Sequence, residues 1–269
     1  MRLRDLREKA GVTYEQAAKA LDVNQTTVRR MEKAEVGLKL PYVEKLLRTY
    51  GIPDEEVGSF LELTDEANQP GWWHRFRDVL PDWFSLYVSL EGAASLIRAY
   101  EPHFVPGLLQ TPEYARALLS VGFPHASDSE LDRRVALRME RQQLLTGPDA
   151  PRLWAIVDET VLRRPVGSAE VMRAQIDRLV EALALPNLTF QVVPFSAGPH
   201  PGMFGPFQLF RFRVPELPDV VYSESLTSAS YLDERADVAA YLEALDRMGT
   251  QAVPALRTEA LLGDLRKEH

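Results

Sequence analysis

The spacing of apolar positions divides the chain into a run of short helices followed by mixed elements. Leu3, Leu6 and Ala10 fall on one face of an opening helix. Thr13 and Gln16 have capping-box spacing, so Thr13 opens a second helix whose inward face is Ala17, Ala18 and Leu21. The chain then turns through Leu21-Asp22-Val23-Asn24. Asp22 is a residue type that tolerates a left-handed backbone, and Asn24 is a good N-cap. The third helix places Val28 and Met31, three apart, on its inner face. Pro41 starts a fourth, with Val43, Leu46, Leu47 and Tyr50 inward and Gly51 as its stop. Ile52 to about Thr64 reads as a fifth, with Val57, Phe60 and Leu61 apolar.

Residues 65–71, polar and closed by Pro70-Gly71, read as a linker. An aromatic block follows: Trp72, Trp73, Phe76, Trp83, Phe84 and Tyr87. Helices are expected from Ser85 to about Tyr100, from Pro112, and over 128–146. After Gly147-Pro148 the pattern shifts: 153–158, 188–193, 207–214 and 220–224 read as strands, and 171–185, 234–248 and 255–267 as helices. The fold class expected is mainly α with an α/β part: a five-helix bundle, a helical segment, and one sheet of about four strands. The domains are then 1–64, a linker over 65–71, and 72–269, the last divided into a helical part (72–147) and an α/β part (148–269).

Length favours two domains, and 45% hydrophobic residues supply an ordinary core. With no cysteine there is neither a disulfide framework nor a thiolate metal site. The first residues are charged from Arg2 onward, and no stretch approaches a membrane span, so a cytoplasmic protein is expected. Charge is what sharpens the picture. Residues 1–50 carry 11 Lys+Arg against 7 Asp+Glu, whereas 51–269 carry 20 against 32. A basic head precedes an acidic body. The head suits a polyanion; the body would be repelled by one.

The outer face of the third helix carries Gln25, Thr26, Thr27, Arg29 and Arg30. Glutamine and arginine read base edges with two hydrogen bonds each, which makes the second and third helices a candidate helix-turn-helix. The competing reading is a solvated helical hairpin. Asn24, Lys33 and Lys39 flank that face as candidate backbone contacts. In the body no phosphate loop, H-E-x-x-H or G-x-S-x-G appears, and the five histidines are scattered, so no enzyme, cofactor or metal site is expected. Asp158-Glu159 and Glu224 read as solvated or salt-bridged surface, with a carboxylate site as the alternative, and the loop 198–206 as a connector, with a mobile lid over a pocket as the alternative. Trp72, Trp73, His74 and Phe204 are the candidates for an effector or partner surface.

These segments together resemble a known family across nearly the whole chain. The head looks like the XRE-type, lambda-repressor-like helix-turn-helix. The body looks like the C-terminal domain of unknown function in the WhiJ-like regulators of sporulating, filamentous soil bacteria. The most specific stretches are Pro70-Gly-Trp-Trp-His74, Val105-Pro-Gly-Leu-Leu-Gln-Thr111, Leu162-Arg-Arg-Pro-Val-Gly167 and Asp219-Val-Val-Tyr222; shorter matches include Tyr100-Glu101, Tyr114-Ala-Arg116, Leu185-Pro-Asn187, Val193-Pro-Phe195 and Tyr231-Leu-Asp233. The resemblance implies base contacts from Gln25 and Thr26, and a buried structural pair between Arg7 and Glu32. It also implies a phosphate contact at Tyr14, where the family usually has glutamine; Asp22 stands where it has a turn glycine. It implies transcriptional control, often together with a small partner protein encoded nearby, in an arrangement likened to toxin–antitoxin pairs; a repressor is the role expected here. A homodimer on a pseudo-palindromic operator is expected, because one small head reads too few base pairs. The alternative for the body is a receptor for a small-molecule effector.

Overall fold

The structure, a computed structural model, describes residues 2–32, 36–68, 71–80, 82–214, 217–226 and 228–269. They form two compact units, Met1–Trp72 and Trp73–His269. Among the described residues no helix is long and apolar enough to cross a membrane.

The first unit is five helices: α1 (Arg2–Lys9), α2 (Tyr14–Leu21), α3 (Gln25–Glu32), α4 (Leu40–Thr49) and α5 (Asp54–Asn68). Ala17, Val28, Leu46 and Leu47 are completely enclosed at its centre, with Leu3, Leu21, Met31, Val43, Val57 and Phe60 around them. Gly51 stops α4 with a φ of +75°, as its position after the last apolar residue implies. The helix α5 runs past Thr64 to Asn68 and takes up part of the expected linker. Nothing in Asp65-Glu66-Ala67-Asn68 breaks a helix; the first breaker is Pro70.

The second unit is built on a six-stranded sheet in the order β3-β2-β1-β4-β5-β6. Its strands are β1 (Ala94–Glu101), β2 (Arg152–Asp158), β3 (Leu188–Val193), β4 (Phe207–Phe212), β5 (Val220–Glu224) and β6 (Ala229–Leu232). The pairs β1–β2 and β2–β3 are parallel, and the remaining three are antiparallel. Before, between and after them come α6 (Asp82–Ala93), α7 (Pro112–Gly122), α8 (Asp128–Arg141), α9 (Thr160–Arg163), α10 (Ala169–Ala182), α11 (Arg235–Gln251) and α12 (Ala255–Glu268). One sheet face, through Ile97, Val157, Phe190 and Phe210, packs on α6, α7, α10 and α12. The other, through Tyr100, Ile156, Leu209 and Val221, packs on Val238, Leu245 and Met248 of α11.

Two strands go beyond the four expected. The helix expected to reach Tyr100 ends at Ala93, and β1 takes over. Leu96, Ile97, Ala99 and Tyr100 are all buried. An interior strand covered on both faces shows no period-two alternation, so pattern alone cannot separate it from a buried helix. The segment 72–147 is therefore not purely helical, because it donates an interior strand of the sheet. The other addition, β6, is four residues of Ala-Ser-Tyr-Leu, too short and too weakly β-branched to announce itself.

Candidate nucleic-acid interface

The capping box at α2 forms: the Thr13 N–H donates to Gln16 Oε1 at 2.7 Å, and the Gln16 N–H to Thr13 Oγ1 at 3.2 Å. Asp22 ends α2 at φ 57° and ψ 46°, the one non-glycine residue with positive φ among those described. A short carboxamide or carboxylate side chain lowers the cost of that conformation, which is how the turn forms without glycine. Asn24 Oδ1 accepts from the Thr27 N–H at 2.8 Å and from the Thr27 hydroxyl at 3.0 Å, fixing the start of α3. The α3 axis is thus set at its first turn by a cap and along its length by the buried Val28 and Met31.

Behind α3 sits an ion pair. The Arg7 guanidinium donates to both Glu32 oxygens, at 2.7 and 3.1 Å, and to the Val12 carbonyl at 3.1 Å. Both side chains are buried, and the hydrogen bond to Glu32 holds the Arg7 proton more tightly than in water. The pair expected from the resemblance is present, and it ties α1 to α3.

On the outer face Gln25, Thr26, Arg29 and Arg30 are exposed, whereas Thr27 is half-buried and its hydroxyl is engaged by the cap. Tyr14 is half-buried. Its ring lies beneath two guanidinium groups, with Arg7 at 3.9 Å and Arg29 at 4.8 Å from the centroid. Burial, then a hydrogen bond to Glu32, raises its phenol above the ordinary range. The Tyr14 hydroxyl therefore serves the buried pair while its ring carries Arg29. Lys39 is exposed at the N-cap of α4, its ammonium 5.5 Å from the Tyr42 ring. Lys33 lies outside the described residues.

Of the four body candidates, Trp72 falls in the first unit and Trp73, His74 and Phe204 in the second, where Phe204 borders a slot lined by none of the other candidates. Trp72 belongs to the first unit and is 39% exposed. Trp73 packs against Phe76, Val79 and Leu137, and His74 is exposed beside it with ring centroids 6.5 Å apart. Phe204, 97% exposed, borders a slot of about 250 Å³ that Ala240, Tyr241 and Ala244 of α11 also line. Asp158 and Glu159 have structural partners: Asp158 accepts from the Thr160 N–H, and Glu159 holds Arg163 and the Phe195 N–H. Glu224 accepts from the Tyr222 hydroxyl at 2.6 Å.

A buried polar network went unanticipated. Arg141 donates to Glu91 at 2.9 and 2.7 Å, Tyr87 joins Glu91 to Gln208, and Gln208 reaches Glu101. Glu101 is pushed up to about 8 by burial, and Arg138 is drawn down to about 10 by burial and its neighbour Arg141. Apart from Tyr87 and Glu91, one helical turn apart, the members come from separate stretches of the chain that meet only in the fold, so spacing carries little trace of them. The only signal was Tyr100-Glu101, a motif without an assigned task.

Two family models match the chain. A helix-turn-helix domain covers residues 1–60, and a domain of unknown function (DUF5753) covers residues 84–264. No curated protein and no solved structure matches it.

Proposed function

The chain belongs to the DUF5753 family and carries a helix-turn-helix DNA-binding domain at its head, and from that premise we propose a sequence-specific transcription regulator of the XRE type, a repressor, with a WhiJ-like body. The observation that carries this reading is the exposed row Gln25, Thr26, Arg29 and Arg30 on a helix locked from behind by Val28, Met31 and the Arg7–Glu32 pair. A rigid helix whose outer side chains pair an amide donor–acceptor with forked guanidinium donors is what major-groove readout needs. Gln25, Thr26, Arg29 and Arg30 read bases. Asn24, Lys33 and Lys39 meet the backbone, and Tyr14 acts by holding Arg29. Thr27 contributes chiefly by bracing the cap.

The body does no chemistry and needs no cofactor. It receives the signal by binding a small regulatory protein, antitoxin fashion, and the whole works in the cytoplasm as a homodimer on a pseudo-palindromic operator. Its net negative charge supports this division of labour, since it keeps the body off the duplex. The second reading, a small-molecule receptor, is favoured by one observation, the slot beside Phe204. Selecting bound duplexes from a random pool with the full chain tests the central claim. Enrichment of a two-fold related motif is expected; recovery of unrelated sequences at equal affinity would refute it.

A further inference from the structure

Glu101 stands at the carboxyl end of β1 with only 6% of its surface exposed. The Gln208 amide meets its Oε1 at 3.4 Å, whereas Oε2 is buried without a hydrogen-bond partner. A bare buried oxygen costs stability, so it calls for a purpose. Arg138 of α8 is its complement. It is half-buried, and its Nη1 donates to Gln110 Oε1 at 2.8 Å. Among the described residues it has no other hydrogen bond and no ion pair. Glu101 and Arg138 thus feel each other's charge without touching, and the exposed Glu224 of β5 acts on both. The surroundings are braced. Arg141 is held by both oxygens of Glu91. Gln142 Nε2 donates to the Gly107 and Gln110 carbonyls at 3.1 and 2.7 Å, and a Cβ on Gly107 would lie 3.7 to 3.9 Å from the guanidinium groups of Arg138 and Arg141. The charges narrow what fits. With Arg141 and Glu91 neutralising each other, Glu101, Glu224 and Arg138 remain. A bare anion on Arg138 would face two carboxyl groups, and a bare cation on Glu101 would face Arg138. A small molecule bearing both charges close together satisfies each.

We propose that Glu101 and Arg138 bind a free α-amino acid, its carboxylate in the Arg138 fork and its ammonium on Glu101 Oε2. The site lies wholly within the second unit and shares no residue with the slot beside Phe204. It depends neither on how the head reads DNA nor on a partner protein. Taking up an ammonium requires the ionised form of Glu101. Burial holds that carboxyl at about 8, so at pH 7 most molecules must shed a proton to bind. Tyr87, Tyr100 and Tyr114 also feel its charge, but burial raises them above the ordinary phenol range, and Arg138 titrates at about 10. None of these four changes charge between pH 5 and 8.

Calorimetric titration of the full chain with each standard amino acid at millimolar concentration, in phosphate and in Tris at pH 7, tests this. At least one should bind and release close to one proton, read from the difference in heat between the two buffers. Its affinity should rise about tenfold per pH unit from pH 5 toward pH 8. Methylamine and acetate, with one charge each, should bind about tenfold more weakly or worse. Glu101→Gln keeps the shape of the side chain and should abolish both the proton release and the pH dependence. Arg138→Lys keeps the charge but loses the fork, and should weaken binding about tenfold. Glu224→Gln, on the exposed rim, should keep the proton release. Melting temperatures of the variants separate lost binding from lost fold. If no amino acid binds, the network is bracing alone and the proposal falls. Proton release that survives Glu101→Gln would put the ligand elsewhere. Acetate bound as tightly as the amino acid would make Arg138 a simple anion site and overturn the pairing with Glu101.

Discussion

Gln25 and Arg30 are exposed on α3, opposite the buried Val28 and Met31, and each is proposed to read a base. Each alanine variant should lose about 1–3 kcal/mol of specific binding if its side chain makes a bidentate base contact. Lys39→Ala should weaken all sequences alike and shallow the salt dependence by about one phosphate contact. Binding isotherms on operator and scrambled duplex at several salt concentrations separate the two behaviours. Arg7→Ala is a different case. It strands a buried Glu32 carboxylate, and breaking a buried pair this way costs roughly 3–5 kcal/mol, so DNA binding should fail together with the melting temperature. Loss of DNA with unchanged melting would place Arg7 on the phosphates instead. Glu101 offers a pH test. Its folded carboxyl titrates at about 8 against 4.5 when free, so the folded state holds the proton more tightly between those values. Stability then falls as pH rises through that window, by about 1.4 kcal/mol per unit where the two states differ by a full proton. Glu101→Gln abolishes the titration at nearly constant shape, so its melting advantage over wild type should grow from pH 5 to pH 8. Parallel curves would contradict the assignment.

At the scale of elements, the head was legible because each of its signals is local. The capping box, the Asp22 turn, the Asn24 cap and the Gly51 stop all occur within a few residues of the boundaries they set. Asn24→Ala should accordingly cost about 1 kcal/mol of stability, through the cap of α3, readable by denaturant titration. An unchanged midpoint would mean the cap is formed otherwise. The body was less legible because its defining choices are non-local. Whether 94–101 is helix or strand is decided by β2 and β4 on either side of it, and neither leaves a mark in that octapeptide. The same holds for the site. Outward positions of α3 follow from its apolar spacing, but the turning of Tyr14 toward Glu32 and Arg29 depends on residues that meet only in the fold. Phe204 stood out in the sequence only as one residue of a proline- and glycine-rich loop. Its exposure two residues after the buried Gly202 is a packing outcome with no periodic signature.

For the whole molecule, labour divides between a head whose first fifty residues are net basic and an acidic body. Residues 73–269 enclose their own sheet and two apolar layers, so expressed alone they should fold cooperatively. They should show no affinity for duplex DNA at physiological salt, since residues 73–269 carry 26 acids against 20 bases. Retained binding by that fragment, in a mobility-shift titration, would break the division. The most direct test of the central claim is a comparison of wild type and Gln25→Ala on a complete set of single-base operator variants. The predicted result is a preference relaxed at one position per half-site, with the remaining positions discriminated as before. An equal loss at every position, or no loss at all, would mean that α3 does not read the bases.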